Sequence, residues 1–176
     1  MKTKTERILV ILKILALLGA IGYSIECGAQ LLSFVASFIN PDWAKRTYHA
    51  NPDIFALRDH FYVYYVYSML VVIALSAMKG TVWYVMVDLL AKLRLSTPFS
   101  IGVAIKLKRI SSLLLVTWII GITPKMYTHW LSKTAGIQLP GLDIADEYLF
   151  IAGLVYIIYQ IFMRGIEMQE ENQLTV

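Results

Sequence analysis

A carboxyl and an amide stand one helical turn apart within the first long apolar stretch of the chain. Glu26 and Gln30 occur in the segment IECGAQ, and a spacing of four residues places both on one face of a helix. An ionisable residue inside a membrane is costly, so Glu26 is a candidate for a proton or cation relay, or for part of a polar ligand pocket. The alternative is structural, with a neutral Glu26 hydrogen-bonded across a bundle and Gln30 joining helices.

Three histidines, His49, His60 and His129, are weak candidates for a metal site. Histidines converging with carboxylates bind divalent metals or sense acid. They show no ligand spacing such as HExxH, so we predict no metal and no other cofactor, and interpret them as unrelated interfacial residues. No nucleophile–base pair, phosphate loop or pair of catalytic carboxylates occurs, which favours a protein that is not an enzyme.

Four apolar stretches predict the helices that position these side chains. Hydrophobic residues make up 58% of the 176 residues, a composition typical of membrane proteins. A helix needs about 20 mostly apolar residues to cross the bilayer, and lipid leaves helices as the default structure. We predict an all-α fold, a four-transmembrane-helix bundle forming one domain over residues 1–176. Its spans cover approximately residues 8–38, 61–78, 110–130 and 148–162.

The positive charges predict the orientation of these spans. Eleven of the 16 Lys and Arg residues lie in the N-terminal segment, in the middle loop 79–109 or at the end of the chain. Since cytoplasmic segments carry the excess of positive charge, both termini, the middle loop and the tail 164–176 are predicted to be cytoplasmic. The single cysteine, Cys27, excludes an internal disulfide. No soluble face is long enough for direct binding of nucleic acid.

Local signals predict where several helices begin. The sequence NPD occurs at residues 40–42 and 51–53, and Asn, Pro and Asp suit the N-cap and first turn of a helix. The second span is predicted to continue as a helix beyond Gly80. Ser100 is a plausible N-cap for the third helix, and a kink is predicted at Pro124.

Two predicted cytoplasmic stretches carry opposite charge. Lys106, Lys108 and Arg109 form a basic cluster, for which lipid anchoring and cytoplasmic topology are one explanation. The tail is acidic, and acids at a helix C-terminus oppose the helix dipole, although a solvated helix end tolerates them. We predict that the tail pairs with the basic cluster or with a basic cytoplasmic protein.

These two stretches, PFSIGVAIKLKRI and IFMRGIEMQEENQLTV, resemble a bacterial family of small four-pass membrane proteins catalogued only as a domain of unknown function, the YoaS-like group. We predict that the two stretches form a cytoplasmic interaction surface. The resemblance implies a setting in the bacterial cytoplasmic membrane beside a small helix-turn-helix regulator. The predicted interaction residues are Pro98, Phe99, Ser100, Lys106, Lys108, Arg109, Gly165, Gln169, Glu170, Glu171, Asn172, Leu174, Thr175 and Val176.

Three function classes follow from these observations. The first is a regulatory or signalling membrane protein whose cytoplasmic face binds a partner such as the helix-turn-helix regulator. The second is a small transporter or channel-like protein that uses Glu26 and Gln30. The third is a structural or immunity-type membrane protein that binds another membrane component or a second copy of itself. In every class the lipid bilayer is a partner.

Overall fold

The computed structural model of the chain describes residues 4–47, 58, 61–93, 99–135 and 147–174. Within these ranges the side chains of residues 45, 47, 127, 128, 130–132, 134, 135 and 172–174 are not among those described. Every regular element in the described ranges is a helix, which confirms the all-α prediction for this part of the chain. The helices are α1 (Lys4–Ile39), α2 (Pro41–Thr47), α3 (Tyr62–Lys92), α4 (Ile101–Ala135) and α5 (Glu147–Leu174).

Three helices of the described chain, α1, α3 and α5, are long and apolar enough to cross a membrane, which indicates a membrane protein. They contain the first, second and fourth predicted spans. The third predicted span lies in α4, a helix of 35 residues that is not among these three. Serine, threonine and proline interrupt its apolar sequence at Ser111, Ser112, Thr117, Thr123 and Pro124.

The helices extend further than the predicted spans. As predicted, α3 continues beyond Gly80 and ends at Lys92, and α4 begins directly after Ser100. Helix therefore occupies residues 79–92 and 101–109 of the predicted middle loop. The predicted tail is also helical as far as Leu174.

Hydrogen bonds at Asn40 and Ser100 explain where two helices begin. The Asn40 Oδ1 atom accepts a hydrogen bond of 3.2 Å from the Trp43 backbone N–H, and Pro41 is the first residue of α2. The predicted N-cap is thereby confirmed. The Ser100 carbonyl accepts a hydrogen bond of 3.1 Å from the Ala104 N–H, the first intrahelical bond of α4. The second NPD sequence, at 51–53, lies outside the described residues.

A proline stands inside α4, where it removes one backbone donor. Pro124 has no N–H to bond the carbonyl of Ile120, the residue four positions earlier. The Thr123 Oγ1 atom donates a hydrogen bond of 2.7 Å to that carbonyl. The preceding side chain therefore satisfies the acceptor that the proline leaves behind, and the helix continues to Ala135.

The chain divides into two compact units, of which the first comprises residues 1–21, 80–116 and 146–176. Its core contains Val85, Leu89, Ile110, Leu114 and Ala152, contributed by α3, α4 and α5. The Ser111 hydroxyl donates a hydrogen bond of 2.9 Å to the Ala152 carbonyl inside this core. These contacts join α3, α4 and α5 within the first unit.

The second unit comprises residues 22–79 and 117–145. Here α1 and α3 run antiparallel, because residues later in α1 contact residues earlier in α3. Cys27 lies against Ile73, Phe34 against Tyr65, and Phe38 against Tyr62. Tyr65 is buried with Met69 and with Ala44 of α2, and these three residues form a core of the second unit.

Polar side chains are buried between the helices, and large apolar side chains are exposed on their outer surfaces. Gln30, Ser33, Ser37, Ser68, Ser76, Ser111 and Thr117 are buried. Large apolar side chains are exposed along α1, including Leu18, Ile25 and Leu32. Polar contacts between helices and apolar surfaces toward the surroundings are what a bilayer favours.

Candidate functional site

Phe99 is the centre of the site that joins the two predicted interaction stretches. Its ring packs edge-on against Phe162 of α5, with 5.2 Å between ring centroids and 61° between planes. The same ring lies over Gly165, where an added Cβ would stand 2.7 Å from Cδ1 of Phe99. Only glycine, which has no side chain, allows the ring to approach this closely. The position of the Phe99 ring therefore favours glycine at position 165.

A groove of about 500 Å³ opens beside this contact and is called here the Phe99 groove. It is lined by Phe99, Ile161, Arg164, Gly165, Met168 and Gln169. Residues 161, 165 and 168 recur at helical spacing, so one face of α5 forms a wall of the groove. Ile161 and Met168 are more than half exposed, which leaves apolar surface available to a partner.

Charged side chains continue along α5 beyond the groove. Arg164 Nη1 lies 2.9 Å from Glu167 Oε2, an exposed pair within one helical turn. Glu170 and Glu171 follow on exposed positions, as does Gln169. The groove is therefore mainly apolar, and exposed acidic residues follow it along α5. Asn172 and Leu174 lie in α5 with side chains outside the described set, and Pro98, Thr175 and Val176 lie outside the described residues.

Two lysines of the basic cluster of α4 contact side chains of other helices, and the predicted pairing of the cluster with the tail stays a prediction. Lys106 Nζ lies 2.5 Å from Asp88 Oδ2 of α3, and Lys92 shares the same carboxylate at 3.2 Å. Lys108 Nζ lies 5.9 Å from the centre of the Tyr159 ring, a cation–π distance. Arg109 is exposed. The geometry thus couples Lys106 to α3 and Lys108 to α5.

The predicted pair in α1 forms a second polar cluster, in the second unit. Gln30 Nε2 donates a hydrogen bond of 3.1 Å to Glu26 Oε1, which confirms that the two side chains share one face. Ser76 of α3 donates to the same oxygen at 3.2 Å. Gln30 and Ser76 are buried, whereas Glu26 is exposed at the edge of the helix pair.

The histidines give no metal centre in the part of the chain that is described. No group of three or more His, Cys, Asp or Glu side chains occurs there. His129 lies on an exposed position of α4, and His49 and His60 lie outside the described residues. The prediction about these three histidines stays a prediction.

Reasoning from the sequence missed Asp88, Tyr159 and Ser76 as members of these sites. Each contacts a predicted residue from a different helix, so the contact depends on the register between helices. The sequence contained a signal for Asp88. It is an acidic residue among positive charges at a helix end, which predicts a contact with a basic side chain. Serine in an apolar helix is common in interhelical contacts, but its partner cannot be read from spacing alone.

Comparison with known proteins returns one family. A family model described as "Protein of unknown function (DUF2975)" matches residues 35–176, which include every residue that lines the Phe99 groove. Searches of the curated proteins and of the solved structures each found no significant match.

Proposed function

The chain belongs to the family described as Protein of unknown function (DUF2975), and we propose that it is a regulatory membrane protein that binds a cytoplasmic partner in the Phe99 groove. It acts by binding rather than by catalysis. Its place is the bacterial cytoplasmic membrane, with four spans and both termini in the cytoplasm. The observation that carries the proposal is the groove itself, which unites the two stretches of the chain that carry the family resemblance.

The pattern of burial in α4 supports a fourth span. Its polar residues Ser111 and Thr117 are buried, whereas its apolar residues Leu115, Val116 and Ile119 are exposed. A helix in water would show the opposite pattern. With α4 spanning the membrane, an even number of crossings returns both termini to one side.

The surface chemistry of the Phe99 groove defines the class of partner. Apolar side chains of Phe99, Ile161 and Met168 suit the apolar face of an amphipathic helix. The exposed acids Glu170 and Glu171 suit a partner whose flanking residues are basic. A helix-turn-helix regulator is helical and carries basic residues for DNA, so it offers both properties.

Binding of such a regulator to the chain in lipid nanodiscs tests the proposal. The purified regulator is titrated against the full chain, against a chain lacking the last ten residues, and against the variant Met168→Glu. We expect about tenfold weaker binding or more for both altered chains, since about 1.4 kcal/mol of contact energy is a factor of ten. The charge-reversed variant with Glu170→Lys and Glu171→Lys is expected to lose hydrogen-exchange protection of the tail in the complex.

Ile105→Glu is the matched control for the groove variant. Ile105 is an exposed apolar residue of α4 in the predicted cytoplasmic loop 79–109, as Met168 is in the predicted cytoplasmic tail, and it does not line the groove. The control is expected to bind the regulator like the unaltered chain. Equal binding by all these chains, or binding by none of them, contradicts the proposed function.

Transport remains the second candidate function, favoured by the Ser76 contact to Glu26. A transporter requires flux across sealed vesicles that is lost in the variant Glu26→Gln. Flux that is unchanged by this substitution argues against transport, whatever the result for the groove.

A further inference from the structure

We propose that the polar cluster between α1 and α3 is a binding site for a monovalent alkali cation, with Glu26 as the charged ligand and Lys79 as a built-in competitor. This site lies in the second unit and is independent of the Phe99 groove. The inference concerns binding and holds whether or not ions cross the membrane.

The position of Glu26 in α1 places its carboxyl deep in the apolar part of the helix. Glu26 lies midway between Lys13 and the end of the helix at Ile39, thirteen residues from each. At a rise of about 1.5 Å per residue this is about 20 Å in either direction. No other charged residue occurs between Lys13 and Ile39. An ionised carboxylate at such a depth is stabilised by a compensating positive charge.

The oxygen atoms around this carboxylate form a ligand set suited to a hard cation. Ser76 and Gln30 both reach Glu26 Oε1, at 3.2 Å and 3.1 Å. Gln30 is only 5% exposed, and its Oε1 atom accepts no hydrogen bond from any residue that the structure describes. Rotation of the Gln30 amide by a half turn exchanges its oxygen and nitrogen. The carboxylate, the amide oxygen and the serine hydroxyl then converge on one point, and oxygen ligands of this kind suit hard cations.

Lys79 supplies the competing positive charge. It follows Ser76 by three residues in α3, about 4.5 Å along the helix, and therefore lies on the same face. Its Nζ atom lies 5.8 Å from the centre of the Tyr23 ring, and Tyr23 precedes Glu26 by three residues in α1. The cation–π contact with Tyr23 thus holds the ammonium one helical turn from Glu26 along α1. An ammonium and a bound cation repel each other strongly at low dielectric, so the two compete for the carboxylate.

The test uses the full chain in nanodiscs and labelling of Glu26 by a hydrophobic carbodiimide, mapped by mass spectrometry. The carboxyl O–H adds across the carbodiimide and rearranges to an N-acylurea, and no group leaves. Sodium chloride is titrated against N-methylglucamine chloride at constant ionic strength and pH. We expect sodium to protect Glu26 from labelling in a saturable manner.

Two classes of variant then shift the sodium concentration for half protection in opposite directions. Gln30→Met and Ser76→Ala each remove an oxygen ligand and are expected to raise that concentration about tenfold. Lys79→Met removes the competitor and is expected to lower it about tenfold. Ser68→Ala, a buried serine of the same helix outside the cluster, is the matched control and is expected to leave it unchanged.

Labelling that responds to pH but not to sodium, potassium or lithium overturns the cation site. The competition by Lys79 is overturned if the sodium concentration for half protection shifts in the same direction in all variants. It is also overturned if Lys79→Met leaves that concentration unchanged. Where Gln30→Met fails to fold, Ser76→Ala and Lys79→Met still decide the outcome, because they predict opposite shifts.

Discussion

The contact between Phe99 and Gly165 makes a quantitative prediction about stability. In the variant Gly165→Ala, the new Cβ would lie 2.7 Å from Cδ1, 2.9 Å from Cε1 and 3.0 Å from Cγ of the Phe99 ring. Three ring atoms at these distances force the whole ring to move, and it is held on its other side by Phe162. Overpacking of this kind costs about 1–3 kcal/mol.

Gly153 of the same helix provides the matched control. An added Cβ at Gly153 meets nothing within 4 Å, so Gly153→Ala carries no such cost. Both substitutions gain the same helix propensity, about 1 kcal/mol, which cancels in the comparison. The free energy of unfolding of Gly165→Ala is therefore expected to be about 1–3 kcal/mol lower than that of Gly153→Ala.

Reversible unfolding of the full chain by a denaturing detergent, followed by circular dichroism, measures this difference. A second background, Phe99→Ala, removes the ring that the new methyl group meets. In that background Gly165→Ala is expected to cost nothing, which gives a coupling energy of about 1–3 kcal/mol between the two positions. The steric reasoning is refuted if Gly165→Ala is as stable as Gly153→Ala, or if its cost persists without the Phe99 ring.

Two further predictions concern single side-chain contacts. The substitution Asp88→Asn removes the carboxylate that Lys106 contacts and is expected to lower the free energy of unfolding slightly. The loss is expected to shrink at high salt, and a cost that persists unchanged at high salt contradicts the ion pair. The substitution Thr123→Val leaves the Ile120 carbonyl without its donor and is expected to cost about 1 kcal/mol in the same unfolding assay. In a Pro124→Ala background the backbone N–H satisfies that carbonyl, so an equal cost there refutes the compensating role of Thr123.

The sequence alone determined which segments are helical and where several of them begin. Apolar stretches too long for a water-soluble helix require helical structure in lipid, and this holds for any arrangement of neighbours. Asn40 and Ser100 were identified as caps because capping depends on residues three or four positions apart in the chain. The shared face of Glu26 and Gln30 followed for the same reason, since helix geometry sets it locally.

The limits of that reasoning appear in α4 and in the charged residues. The third predicted span contains polar residues, and its composition alone suggests that they are unfavourable in lipid. The structure buries Ser111 against the carbonyl of Ala152, so the polarity faces a neighbouring helix. Likewise, charge sign alone does not specify the register between helices, so the sequence does not show which carboxylate Lys106 contacts. Asp88 of α3 is that carboxylate.

Both candidate sites show the same division between local and tertiary information. The residue types of the Phe99 groove are visible in the sequence, as are Glu26 and Gln30. What brings Phe99 onto Gly165, and Ser76 onto Glu26, is the packing of helices that are distant in the chain. Side-chain volume and the register between helices decide such contacts, and neither is contained in the spacing of residues within one helix. The sequence therefore determined the helices and their polar faces, and only the tertiary structure decided which faces meet.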